Sequence, residues 1–286
     1  MPRIRTAAAA IIAATLLLAG CGSTAAPDSA PAASGDASSD AFPVTIDHAF
    51  GQTTIDSKPT RVATVSWGNQ EAALALGAVP VGMPAVTWGD DDGDGILPWV
   101  KDKLDELGGD TPVLFDEAEG IDFEAVADTR PDVILAAYSG LTQDDYETLS
   151  KIAPVVAYPD IAWGTSWQEL TVMNGTALGL KDEAETLVDD LTTHLDELTG
   201  AYPDIAGKTT LFSSFDATDL SQIGFYSTAD PRPLFLEDLG LTPAATVAEQ
   251  SKGTDQFWIT NSTEEIERFS DLQVLVTYGD DSTLAA

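Results

Sequence analysis

The feature that most constrains the fold is the stretch 166–202, because it predicts two consecutive helices. Ser166 is a suitable N-cap for the first helix, with Glu169 completing a capping box, and Gly179 ends it. The second helix begins after Lys181 and is predicted to bury one apolar stripe, with residues spaced by three or four. The stripe consists of Ala184, Leu187, Val188, Leu191, Leu195 and Leu198. Its roughly 18 residues make a rod of about 27 Å, long enough to join two lobes.

The segments before and after these helices are similar in kind. Each contains a strand-like run, at 61–66 and at Thr209–Ser214, and each later has an acidic helix start that leads to a buried strand. The spacings differ, so the chain is not a tandem repeat. The pattern predicts an α/β protein with two Rossmann-like lobes, at 43–165 and 204–286, joined by bridging helices at 166–203, with a cleft between the lobes.

The charge of the chain excludes one class of partner. There are 13 Lys and Arg residues against 47 Asp and Glu, which gives a formal net charge of −34. A nucleic-acid groove needs clustered cations, so we expect no nucleic acid to bind. The acidity indicates a soluble, self-repelling surface.

The N-terminus has the pattern of an export signal. Arg3 and Arg5 precede an apolar run at 7–19, which is too short for an ordinary membrane span. The run ends in Leu18-Ala19-Gly20-Cys21, which resembles the lipobox of bacterial lipoproteins. We therefore expect residues 1–20 to be a signal peptide, Cys21 to carry a lipid, and the protein to lie on the extracytoplasmic face of the cell membrane. An ordinary signal peptide with an incidental cysteine is the alternative.

Residues 21–42 contain mainly Ala, Ser, Pro, Gly and Asp, a composition that predicts a flexible tether. The single cysteine of the chain permits no intrachain disulfide.

Candidate ligand-binding residues follow the predicted strands, because ligands of open α/β sheets bind at the carboxyl ends of the strands. They are Trp67, Trp88, Tyr138, Trp163, Tyr226, Arg232, Trp258 and Tyr278. Aromatic walls suit a bulky, partly apolar ligand, and a planar guanidinium suits ligand oxygens. The alternatives are a core position for Trp67 and a surface ion pair for Arg232.

An acidic loop offers a weak metal-binding signal. Asp90, Asp92, Asp94 and Gly95 match the first half of a calcium-binding EF-hand loop, but the twelfth position is Lys101 rather than a bidentate Glu. The simpler interpretation is a solvated loop beside the cleft, and calcium binding stays open.

The rest of the sequence gives little basis for metal capture or catalysis. The only histidines are His48 and His194, so a bare transition-metal site is disfavoured. No nucleophile-elbow, P-loop, zincin or dinucleotide-binding motif occurs in the strand-turn-helix context it requires. We expect a binding protein rather than an enzyme, with no cofactor, and we keep a structural or adhesive lipoprotein as a further alternative.

Several segments together resemble one family. They are Phe50-Gly51-Gln52-Thr53-Thr54-Ile55 with Lys58-Pro59-Thr60-Arg61-Val62, then Ala75-Leu76-Gly77 with Pro80-Val81-Gly82, and Glu124 with Arg130-Pro131-Asp132-Val133-Ile134. In this order they resemble the iron–siderophore substrate-binding proteins of ABC importers, a group that includes cobalamin and haem binders. The resemblance covers about 43–279.

The resemblance implies the class III periplasmic binding protein fold, which agrees with two lobes joined by a long helix. It also implies that one Glu on each lobe docks onto the membrane permease. The matching residues are Glu124 and Glu264, with Glu265 as a rival; the alternative is that each simply suits a helix N-terminus. Family members continue with a further strand and helix, so we expect the second lobe to be incomplete.

The resemblance and the composition together favour a ferric siderophore as the ligand. Any iron is expected to arrive already chelated by a siderophore. A ferric tris-catecholate carries about three negative charges and would need several cations in the pocket. A neutral or cationic ferric hydroxamate fits this acidic chain better, with cobalamin or haem as alternative ligands. The protein is expected to act as a monomer.

Overall fold

The computed structural model describes residues 41–90, 92–214 and 221–278. The predicted signal peptide, Cys21, all but the end of the tether, and the chain beyond Tyr278 lie outside these residues. Predictions for those segments stay predictions.

The first half of the fold begins with an antiparallel hairpin, β1 (Val44–His48) and β2 (Gly51–Ile55). A five-stranded parallel sheet follows, with strand order β5-β4-β3-β6-β7. Its strands are β3 (Val62–Thr64), β4 (Gly82–Pro84), β5 (Val113–Phe115), β6 (Val133–Ala136) and β7 (Val155–Ala157). The central strands β3 and β6 are buried throughout, because helices and the hairpin cover both faces of the sheet.

Four helices connect these strands: α1 (Asn69–Ala75), α2 (Pro98–Leu107), α3 (Phe123–Asp128) and α4 (Gln143–Leu149). Side-chain caps fix where two of them begin. Asp122 accepts from the backbone N–H of Ala125 at the start of α3, and Thr142 forms a capping box with Asp145 at the start of α4.

The two helices predicted to follow this half are present as α5 (Trp167–Ala177) and α6 (Lys181–Gly200). Ser166 is the N-cap of α5, and its hydroxyl accepts from the N–H of Glu169 at 3.2 Å. The helices touch closely at Gly175, where an added Cβ would lie 2.4 Å from the Cβ of Ala184. No helix in the described residues is both long and apolar enough to cross a membrane.

The prediction that the whole apolar stripe of α6 is buried was wrong. Ala184 is buried, but Leu191 and Leu198 are 41% and 48% exposed. The reason is length: 20 residues of α6 extend about 30 Å, whereas the 11 residues of α5 extend about 17 Å. Helix α5 therefore covers only the first half of α6.

The second half contains two small sheets. A three-stranded parallel sheet has the order β10-β8-β12, and β9 pairs with β11 in antiparallel orientation. These strands are β8 (Thr209–Ser214), β9 (Gln222–Tyr226), β10 (Thr242–Pro243), β11 (Trp258–Ser262) and β12 (Val274–Tyr278). The helices are α7 (Pro231–Asp238), α8 (Ala245–Gln250) and a 3-10 helix (Thr263–Phe269). The sequence did not predict β10 or α8, and it assigned an ordinary helix where the 3-10 helix lies.

Candidate ligand-binding cavity

A cavity of about 880 Å³ lies between the two halves of the fold. Most of its lining side chains are aromatic. They are Trp67, Trp88, Tyr138, Trp163, Trp167, Phe212, Ser214, Asp230, Pro231, Arg232, Phe235, Phe257 and Tyr278. Trp67 and Trp88 are 44% and 64% exposed, so large apolar rings face solvent around the opening. A cavity of this size with such a lining is typical of a small-molecule site.

Trp67 and Tyr138 come together because they follow neighbouring parallel strands. Strands β3 and β6 pair in register, and their carboxyl ends lead into these two residues. The fully buried Asn69 fixes both exits: its Nδ2 donates to the carbonyl of Trp67 at 3.1 Å and to that of Tyr138 at 3.0 Å. Asn69 therefore shapes the cavity without lining it, a role that the sequence alone did not indicate.

Trp163 is held by an unusual backbone conformation. Its φ is +61°, in the left-handed region that non-glycine residues seldom adopt. Its N–H donates to the carbonyl of Ser139 at 2.9 Å, and its ring meets Tyr138 edge to face at 5.3 Å. An added Cβ at Gly140 would lie 2.3 Å from the indole nitrogen, so glycine is needed for this close approach.

The second half of the chain supplies the opposite wall. Phe212 and Ser214 lie on β8, and Tyr278 pairs with Ser214 at the end of β12. Tyr278 also meets Trp88 of the first half edge to face, with ring centroids 5.3 Å apart. The two halves thus contact each other through aromatic residues at the cavity.

Arg232 is the only Lys or Arg among the described lining residues. Its guanidinium forms a 2.6 Å ion pair with the fully buried Asp230, and its Nε donates to the hydroxyl of Tyr278 at 2.9 Å. Its guanidinium carbon lies 4.2 Å from the ring centroid of Tyr226, a cation–π contact. The alternative of a surface ion pair is therefore not what the structure shows: Arg232 is paired, but its partner is fully buried and the pair forms part of the cavity wall.

Burial changes the protonation of groups in this wall. It raises the pKa of Asp230 to about 6, against the opposing effect of its hydrogen bonds and ion pair with Arg232. Burial also raises the pKa of Tyr138 to about 12. At neutral pH the described lining of the cavity therefore carries one cation and one anion, with no net charge.

Six of the eight candidate residues line the cavity: Trp67, Trp88, Tyr138, Trp163, Arg232 and Tyr278. Tyr226 lies behind them and supports Arg232. Trp258 does not reach the cavity, because it packs on Tyr226 and fills the space above Gly224.

The sequence reasoning missed seven lining residues, which are Trp167, Phe212, Ser214, Asp230, Pro231, Phe235 and Phe257. A signal was available for Trp167, which directly follows an N-cap near Trp163. Phe212 and Ser214 are two residues apart on β8, so they share one face of that strand.

The acidic loop brings carboxylate oxygens together, but a cation of the chain already sits among them. Oxygens of Asp90, Asp92 and Asp94 lie within 4.8 Å of one another. The ammonium of Lys101 pairs with Asp92 at 2.8 Å and also with Asp94. Lys101 thus neutralises the position where a calcium loop would add its last carboxylate.

The two glutamates matched to permease docking are both exposed. Glu124 lies in the first turn of α3, and Glu264 in the first turn of the 3-10 helix that Ser262 caps. The rival Glu265 pairs with Arg268 at 3.3 Å. Glu264 is therefore the better candidate on the second half.

The fold and the cavity together define a protein that binds a bulky, partly apolar small molecule. Residues 62–285 match the periplasmic binding protein family, and the chain belongs to that family. Proteins of this family bind substrates for transport, in agreement with the expectation of a binding protein.

Similar proteins and structures support this assignment. One similar structure is that of PiaA from Streptococcus pneumoniae TIGR4 in complex with ferrichrome. Its sequence is 42% identical to this chain, the TM-score is 0.80, and the match covers 85% of this chain and 80% of that chain. A probable siderophore-binding lipoprotein of Bacillus subtilis, YfiY, is 27% identical over 82% of this chain and 67% of its own length. Staphylococcus aureus SirA with staphyloferrin B shares the fold, with a TM-score of 0.63 and 23% identity over 85% of this chain and 80% of that chain.

Proposed function

We propose that this protein captures a ferric siderophore and delivers it to the permease of an ABC importer, without covalent chemistry. The observation that carries the proposal is the cavity of about 880 Å³, which has aromatic walls and one fixed guanidinium. The rings pack against the body of a chelate, and Arg232 donates to the oxygens that ligate the iron. The similarity to ferrichrome-bound PiaA supports this ligand class.

The balance of charge favours a hydroxamate. Arg232 is already paired with Asp230, so the described lining offers no surplus positive charge to a tris-catecholate with about three negative charges. A neutral ferric hydroxamate needs no such surplus. Cobalamin or haem is the alternative ligand for the same fold.

Docking and anchoring complete the proposal. Glu124 and Glu264 would contact cationic residues of the permease, one from each half of the chain.

Cys21 would carry the lipid that holds the monomeric protein on the extracytoplasmic face of the membrane. The similarity to a siderophore-binding lipoprotein supports the anchor. Radiolabelled palmitate should enter the wild-type protein and not C21S.

Tryptophan fluorescence tests the ligand directly, because Trp67, Trp88, Trp163 and Trp167 all line the cavity. The purified protein is titrated with ferrichrome, a ferric tricatecholate, cobalamin and haemin, with correction for absorption by each ligand. We expect saturable quenching by the ferric hydroxamate at the lowest concentration, and weaker binding by R232A. Binding of cobalamin or haemin alone would replace the ligand, and no binding of any ligand would overturn the proposal.

A further inference from the structure

A smaller recess of about 300 Å³ adjoins the cavity. The two spaces share Trp67 and Trp163 in their linings, so the edge of the aromatic wall borders both. The described lining of the recess is more polar and comes from the first half of the chain. It consists of Ser66, Trp67, Glu117, Gly120, Ile121, Gly140, Leu141, Asp145 and Trp163.

Glu117 has one committed and one free oxygen. Its Oε2 accepts from the backbone N–H of Ser66 at 2.9 Å. Its Oε1 is buried and has no hydrogen-bond partner among the described residues. A buried carboxylate oxygen without a donor is costly, and a ligand donor in the recess would remove that cost.

The backbone around the recess is held in uncommon conformations. Ser66, which precedes Trp67, has φ +62°, and Trp163 has φ +61°. Such conformations cost energy in non-glycine residues and concentrate at ligand sites. The bond from Ser66 to Glu117 therefore places the carboxylate beside the two tryptophans that separate the spaces.

No described lining residue of the recess is cationic. Asp145 is the other titratable group there, and its Oδ2 already accepts from the N–H and hydroxyl of Thr142. Burial raises the pKa of Glu117 to about 7. A nearby cation would therefore shift Glu117 toward its ionised form near neutral pH. The recess thus offers acceptors and negative charge beside a cavity whose described lining has no net charge.

We propose that this recess receives a protonated amine on an arm of the ligand, while the ferric hydroxamate core occupies the aromatic cavity, and that Glu117 accepts from the ammonium. This inference rests on the proposed function and narrows its substrate class to hydroxamates with a cationic arm. The arm passes between Trp67 and Trp163, where a cation is also attracted to the faces of the indole rings.

The test compares two ligands that share one iron core. Ferrioxamine B ends in a free amine, and its N-acetylated form does not. Fluorescence titration of the wild-type protein should give a Kd about tenfold lower for the amine form, since a charge-assisted hydrogen bond is worth that much or more. The preference should grow from pH 6 to pH 8, as Glu117 ionises while the alkylamine stays protonated.

Three variants assign the effect. E117Q keeps an oxygen for the Ser66 N–H and removes the charge, so the preference should fall to within about twofold. E117A should behave likewise for the amine and also weaken the acetylated form, because Ser66 loses its acceptor. D144N removes one exposed charge from α4 outside the recess and should keep the tenfold preference.

The outcomes separate this inference from the proposed function. Equal binding of both ferrioxamines by the wild-type protein, or a preference unchanged in E117Q, overturns the inference and leaves siderophore binding intact. Equal weakening of both ligands in E117Q would give Glu117 a purely structural role and also overturns it. Failure to bind either ferrioxamine or ferrichrome overturns hydroxamate binding, and the inference with it.

Discussion

The guanidinium carbon of Arg232 lies 4.2 Å from the ring centroid of Tyr226, which sits behind the cavity wall. Asp230 and Tyr278 hold the same guanidinium from two further directions. A long side chain normally loses much rotamer freedom when it binds a ligand. These contacts restrict Arg232 before the ligand arrives, so less rotamer entropy is lost on binding.

Removing the hydroxyl of Tyr278 should weaken ligand binding. The hydroxyl accepts from the Nε of Arg232 at 2.9 Å, and Y278F leaves that donor without a partner. A net loss of about 1 kcal/mol corresponds to a roughly fivefold higher Kd for a ferric hydroxamate in fluorescence titration. Y202F is the matched control, because Tyr202 is exposed and does not line the cavity. Equal affinity of Y278F and the wild-type protein would contradict the role of this bond.

Neutralising Asp230 should change which ligands bind. D230N keeps an oxygen for the Arg232 N–H that caps α7 but removes the negative charge beside the guanidinium. The cavity gains one net positive charge, so affinity for an anionic ferric tricatecholate should rise on the order of tenfold, with little change for neutral ferrichrome. Titrations at pH 7.5 measure both ligands, and exposed D204N serves as the control. An unchanged ratio of affinities would contradict the charge argument.

A methyl group at Gly140 should disturb the cavity. The added Cβ would lie 2.3 Å from the indole nitrogen of Trp163, so the ring must move away. Overpacking of this kind costs typically 1–3 kcal/mol, and the displaced ring should raise the Kd for a ferric hydroxamate about tenfold. G200A is the control, because nothing lies within 4 Å of its added Cβ. Tight binding by G140A would show that Trp163 does not contact the ligand.

The sequence predicted the sheets and the cavity better than it predicted local packing. The ends of the strands could be predicted from the sequence because buried apolar runs end abruptly there. Trp67, Tyr138 and Tyr278 follow such strand ends, and they line the cavity. Trp258 was predicted to line the cavity but packs elsewhere. It begins a strand whose neighbour carries Gly224, and its indole fills the space left by that glycine. Asn69 and Glu117 were not predicted, since their roles depend on backbone atoms brought together only by the fold.

If Glu124 and Glu264 dock onto the permease, replacing them should reduce transport without weakening ligand binding. Glu124 and Glu264 are exposed in first turns of separate helices, away from the cavity lining. The double variant E124A/E264A should bind a ferric hydroxamate normally, whereas cells that carry it should take up radioactive iron about tenfold more slowly, because interface charges govern encounter and register. E265A tests the rival residue and should transport normally. Full uptake by the double variant would exclude docking through this pair.

Glu117 should make the stability of the protein depend on pH. Burial raises its pKa from 4.5 to about 7 in the folded state. Between these values the folded protein binds more protons than the unfolded chain, so the free energy of unfolding falls as pH rises through that range. The shift corresponds to about 3 kcal/mol.

E117Q removes this titration while keeping the acceptor for Ser66. Thermal and urea unfolding at pH 5 and pH 8 should therefore show E117Q gaining stability relative to the wild-type protein at the higher pH, by an amount approaching 2 to 3 kcal/mol. E119Q is the control, since Glu119 is exposed two residues away and should show no such gain. A stability difference between E117Q and the wild-type protein that is the same at both pH values would mean that Glu117 ionises in the folded protein as it does in the unfolded chain. The carboxylate oxygen without a partner would then be solvated in the folded protein, and the recess would not favour a cation on that ground.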